Sequence, residues 1–123
     1  MPHKTILLVA ALIGFLGVAA GAFGSHALKE RLSASMLEVF QVAVRYQIYH
    51  VLAACVAAIA FGLFANSWFL CAGWFFLIGS IFFSGSLYLY VATGLRNWGM
   101  ITPIGGVLFL LGWLSLAIGA WRA

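Results

Sequence analysis

Residues 6–23 read ILLVAALIGFLGVAAGAF, a run with no charge, no amide and no proline. A bilayer core about 30 Å thick takes roughly 20 apolar helical residues to cross, so this stretch has the length of a membrane span. Three more such stretches follow, over about 46–65, 68–91 and 101–121. Too little chain remains for a soluble domain, so residues 1–123 read as a single integral membrane domain. Backbone polar groups in lipid must be satisfied within their own segment, and four spans cannot close a barrel, so the spans are expected to be helices. The predicted fold is an all-α membrane protein: a four-helix up-and-down transmembrane bundle with an amphipathic segment between spans one and two.

Composition agrees. Of 123 residues, 66% are hydrophobic and 7% charged, against roughly 25% charged in a soluble domain. That excludes a soluble globular enzyme, a disordered tail and a nucleic-acid module. Cys55 and Cys71 lie in apolar runs without metal-type spacing and read as small buried hydrophobes. The first run, with Lys4 before it and Ala20-Gly21-Ala22 at its end, also fits a cleavable signal peptide; a membrane span is expected. Lys29, Arg31, Arg45 and Arg96 fall between spans one and two or three and four, against Lys4 and Arg122 at the ends. The distribution of Lys and Arg therefore predicts loops 24–45 and 92–100 in the cytoplasm and both termini outside.

Lipid tails are as apolar as leucine, so helices in a bilayer associate through close backbone approach and polar contacts. In span one, Ala10, Gly14, Gly17, Gly21 and Gly24 recur every three or four residues and form one seam of small residues. Gly105, Gly112, Ser115 and Gly119 repeat the pattern in span four. Ala72, Gly79 and Ser86 give span three a sparser version, and Ala54, Ala57 and Ala58 serve span two. Each seam suits a sister helix or a second copy of the chain. Ser35 and Glu38 are spaced as a capping box, which predicts a helix starting near Met36. Glu38, Gln41, Arg45 and Tyr49 then share one stripe, with Arg45 either binding a lipid phosphate or anionic substrate, or snorkelling toward headgroups and bonded to Gln41 or to a helix C-terminus. The piece before it, 25–32, is expected to form a short amphipathic turn or two.

In an up-and-down bundle the end of span one, the start of span two, the end of span three and the start of span four share one membrane face. His26, Arg45, Gln47, His50, Ser84, Ser86 and Thr102 are thereby gathered on one side and form the candidate binding cluster. His26 and His50 are expected to bond backbone carbonyls or hydroxyls rather than a metal, which takes three or four protein ligands. Thr102-Pro103 suits an N-cap followed by the first helical residue. Trp68, Trp98, Trp121, Tyr46 and Tyr88 read as interfacial anchors. The chain has no aspartate, so no Ser/His/Asp set exists.

The strings GAFGSHALKERLS (21–33), VRYQIYH (44–50), FSGSLYLY (83–90) and ITPIGG (101–106) resemble those of the YgdD-type small inner-membrane proteins. That is a bacterial family with a eukaryotic transmembrane relative, classed as a domain of unknown function. The resemblance covers nearly the whole chain; it implies a four-span protein of the bacterial inner membrane and brings no catalytic residue or cofactor. Ser25 stands where that family more often has alanine. The functional expectation is a non-catalytic membrane interaction, assembly or scaffold protein. The alternative is a small transporter or channel for a lipid or other amphiphile, with a polar cleft at one membrane face. No enzyme activity, metal, cofactor or nucleic acid is expected. Expected partners are membrane lipids, a membrane protein, and a second copy through the glycine seams.

Overall fold

The computed structural model describes all 123 residues. Four helices are long and apolar enough to cross a membrane: Pro2–Leu28, Ala34–Phe64, Ser67–Thr93 and Arg96–Arg122. They run up and down, so the chain is an all-helical, multi-pass bundle of the predicted kind.

Span one joins α1 (Pro2–Ala19), a π-helical turn (Ala20–Gly24) and α2 (Ser25–Leu28) without a break in helical backbone. Span two is α3 (Ala34–Phe64), span three α4 (Ser67–Thr93), and span four α5 (Thr102–Arg122) preceded by a 3-10 turn (Arg96–Met100). The first three helices overrun their expected limits because the polar flanks continue the helices past the hydrocarbon. About three turns of α3 precede Arg45. The amphipathic segment is thus α2 together with the opening of α3, not a separate element.

The helix ends follow local chemistry. Ser33, in extended backbone, caps α3 by accepting the Met36 N–H at 3.2 Å. The expected capping box at Ser35 does not form: Ser33 takes the cap, and Glu38 turns instead to Arg45 at 2.8 Å. Between α3 and α4 the chain reverses over Ala65 and Asn66. Ala65 adopts the left-handed conformation (φ 52°), and the Asn66 side chain accepts from the Trp68 N–H at 3.0 Å. Gly94 ends α4 at φ 71°. Thr102 is not an N-cap; it is already helical, and Ile101 precedes it.

Span one packs chiefly on span two, span two on span three, and span three on span four. The seam of span one faces span two throughout. A Cβ built on Gly14 would lie 3.6 Å from Val51, on Gly17 2.8 Å from Ile48, on Gly21 3.0 Å from Val44 and on Gly24 2.9 Å from Phe40.

Spans three and four interlock more tightly. The rings of Phe69 and Phe76 lie on Gly119 and Gly112, and the backbone and Cβ of Phe83 on Gly105, so that seven-residue spacings on the two helices match in opposite directions. Phe109 returns the contact onto Gly79. At Gly105 the approach is backbone to backbone, so no side chain stands between the helices there.

The dry centre is Ile6, Ala10, Val51, Ala54, Ala57, Ala58, Ala72, Phe76 and Leu77. Small alanines of span two meet the larger rings of span three. Cys55 is partly buried, whereas Cys71 points outward, contrary to its expected burial. Leu8, Leu12, Phe15, Leu110 and similar residues are exposed, as suits a surface solvated by lipid.

Candidate functional site

Gln47 is the central polar group of the bundle. Its Nε2 donates to the carbonyl oxygen of Ile13 on span one at 2.8 Å, and its Oε1 accepts from the Tyr88 hydroxyl on span three at 2.5 Å. The amide reaches that carbonyl because Gly17 has no side chain: a Cβ there would stand 3.2 Å from the Gln47 amide group. One side chain therefore ties three spans together. Tyr88 is consequently not an interfacial anchor; its hydroxyl is directed inward.

The tautomer of His50 is set by its partners. Its Nδ1 lies 2.7 Å from the Tyr46 carbonyl oxygen, which can only accept, so Nδ1 carries the proton. Its Nε2 receives the Trp113 indole N–H at 3.2 Å, so that nitrogen is bare. The ring lies flat on Phe109, with centroids 3.5 Å apart and planes 7° from parallel. As placed, neither nitrogen is left for a metal or a proton transfer, and nowhere do three His, Cys, Asp or Glu side chains gather as ligands.

The hydroxyls complete the set. Ser84 donates to the Ala43 carbonyl oxygen of span two at 2.7 Å. Ser86 donates its only proton to Phe83 O at 2.9 Å, so Thr102 must donate to Ser86 across their 2.6 Å contact. Thr102 thus ties spans three and four instead of capping its own helix.

Gln47, His50, Ser84, Ser86 and Thr102 are therefore all brought between helices. His26 and Arg45 are not: His26 is exposed on α2, and Arg45 is exposed on α3 with Glu38 as its partner. Arg45 bonds neither Gln41 nor a helix end. No spacing within one segment marks Phe109 and Trp113 as partners of the polar groups, which they meet from span four. The matched seven-residue spacings of Phe69, Phe76 and Phe83 and of Gly105, Gly112 and Gly119 were the available signal for how spans three and four register.

Beside His50, between spans two and four, lies an open groove of about 430 Å³ walled by aromatic rings. Tyr46 stacks on Phe83 at its base, with centroids 4.8 Å apart. At the opposite end of the bundle, the Arg122 guanidinium lies 5.8 Å from the centre of the Trp68 ring and links the end of span four to the start of span three.

A family model described as "Protein of unknown function (DUF423)" matches residues 20–106. The UPF0382 inner membrane protein YgdD of Escherichia coli (strain K12) is 39% identical over 122 residues, covering 99% of this chain and 93% of the relative. A UPF0382 membrane protein of Staphylococcus saprophyticus is 43% identical over 121 residues, 97% of this chain and 98% of its own length. One from Staphylococcus epidermidis is 42% identical, covering 97% of each chain. No solved structure matches.

Proposed function

The chain belongs to the DUF423 family of membrane proteins, and from that premise we propose that it is a non-catalytic interaction protein, an assembly or scaffold subunit of the bacterial inner membrane. The observation that carries this reading is a division of labour among the polar side chains. Of those inside the bundle, Gln47, His50, Ser84, Ser86, Tyr88 and Thr102 are bonded to neighbouring helices and Ser80 to its own; the buried His3 Nδ1, at the other end, has no partner. Each such bond in a membrane contributes about 0.6 kcal/mol on average and up to about 1.7, so together they give a rigid bundle.

The polar groups at one end are left free. His26, Lys29, Glu30 and Arg31 are all exposed, and the single ion pair of the protein, Arg45–Glu38, involves none of them. We assign the partner-facing surface to this stretch, 25–31, together with the Arg96–Met100 turn. Following the Lys and Arg distribution, this end lies on the cytoplasmic side.

The test is mild-detergent purification of the full chain from its own membrane, with cross-linking before lysis, beside a variant carrying Lys29→Ala, Glu30→Ala and Arg31→Ala. One membrane protein recovered in fixed ratio with the parent, and lost from the triple variant while the bundle stays folded, is expected. A protein that purifies alone and moves a solute when reconstituted in vesicles would overturn the reading.

A further inference from the structure

Spans two and four both pack on span three, and the space between them is bridged by rings rather than by helix backbone. Tyr49 and His50 form one bank of the groove, Phe109, Leu110 and Trp113 the other, and Phe83 the floor. The groove opens sideways toward hydrocarbon: Leu110 is 69% exposed.

The groove, about 430 Å³, runs along residues 106–113 of span four, roughly 10 Å at 1.5 Å per residue. Its walls are aromatic and apolar apart from His50, the surroundings an acyl chain requires.

The outer end of the groove lies at headgroup level. The 21 residues of α5 span roughly 31 Å, close to the thickness of a bilayer core, so Thr102 marks the boundary. Ser86 bonds Thr102, and Ser84, one turn-half away, bonds Ala43, which brings Arg45 to the same level. Arg45 stands one turn outward from Tyr49 on the same side of α3. Its partner is Glu38, and with side chains 46% and 60% exposed that pair is weak enough to yield to a phosphate, which guanidinium grips in bidentate fashion.

We infer that the groove between spans two and four holds one acyl chain of an anionic phospholipid of the bilayer, with its phosphate on Arg45. This does not depend on the assembly role proposed above.

The full-length protein is reconstituted in phosphatidylcholine vesicles containing phosphatidylglycerol that carries a mid-chain diazirine, and cross-links are mapped by mass spectrometry. Tyr49, Leu110 and Trp113 are expected to label at least fivefold more than Leu8, Leu12 and Phe15, which are also exposed. Leu110→Trp, a change at an exposed position that fills the groove, is expected to bring groove labelling down to that background with unfolding unchanged. Arg45→Gln is expected to keep labelling but abolish the preference for the anionic photolipid over its phosphatidylcholine counterpart. Even labelling of all exposed faces would overturn the inference. So would a photoreactive residue at position 110 that captures a second copy or another helix in place of lipid. Labelling retained in the triple variant of 29–31 separates this site from the partner surface.

Discussion

The Gln47 amide occupies the space that a side chain on Gly17 would need, and it uses that opening to reach the Ile13 carbonyl oxygen 2.8 Å away. A glycine that reads as part of a packing seam is also an access point for a hydrogen bond. The same amide accepts from Tyr88, so its loss is felt on two other spans.

Gln47→Leu should therefore destabilise the bundle by about 1–2 kcal/mol, because it strands the Tyr88 hydroxyl. Tyr88→Phe added to it should cost less than the two single changes together. A double-mutant cycle by reversible unfolding in mixed micelles measures this, and strict additivity would sink the proposed bond.

Adjacent glycines in span four should behave oppositely. A Cβ on Gly105 would stand 2.6 Å from the Phe83 Cβ and closer still to its backbone, whereas a Cβ on Gly106 meets nothing within 4 Å. Gly105→Ala should cost about 1–3 kcal/mol by overpacking. Gly106→Ala should be neutral or stabilising by up to about 1 kcal/mol. Equal effects in an unfolding assay would contradict the interlocked register.

Ala65 pays a conformational penalty that glycine would not, being held at φ 52° by the two-residue reversal. Ala65→Gly should raise stability by about 1 kcal/mol. An unchanged or lowered unfolding midpoint would mean that the turn has another shape.

The partners of His50 predict the Nδ1–H tautomer. Nitrogen-15 spectra of histidine-labelled protein should show its Nε2 unprotonated, and Trp113→Phe should shift that resonance alone among the three histidines. An Nε2–H signal for His50 would refute the assignment.

The Glu38–Arg45 pair is exposed enough to matter little for folding. Glu38→Gln should change stability by no more than about 1 kcal/mol. A larger loss would place these side chains in a drier setting than the structure gives them.

Much of this architecture could be read from the residues alone. Four apolar runs fix the number of crossings, and their order brings Gln47, His50, Ser84, Ser86 and Thr102 to one end. The small-residue spacing of span one identifies the face that packs. Periodicity names a face but not the neighbour that covers it: Gly14–Gly24 would suit a sister helix or a second copy equally, and it is the fold that sets Val44 and Val51 of span two against it. Local motifs misled where two residues competed. Ser33 and Ser35 both suit a cap, and only the three-dimensional path assigns it to Ser33, which frees Glu38 for Arg45 two turns on. Tyr88 and Thr102 fit generic roles at a span end; their actual partners lie on other helices, beyond what spacing within one segment can show.

The Phe/Gly ladder between spans three and four has a latent ambiguity. Because its rungs repeat every seven residues, sliding one helix by that distance would seat Phe83 on Gly112 and Phe76 on Gly119, an alias of the true alignment. One contact has no such double: the reversed rung of Phe109 on Gly79, which the slide would set against Ser86. The repeated rungs supply grip, while this one acts as an address, so its removal should yield a hairpin that still holds together yet loses track of where it belongs.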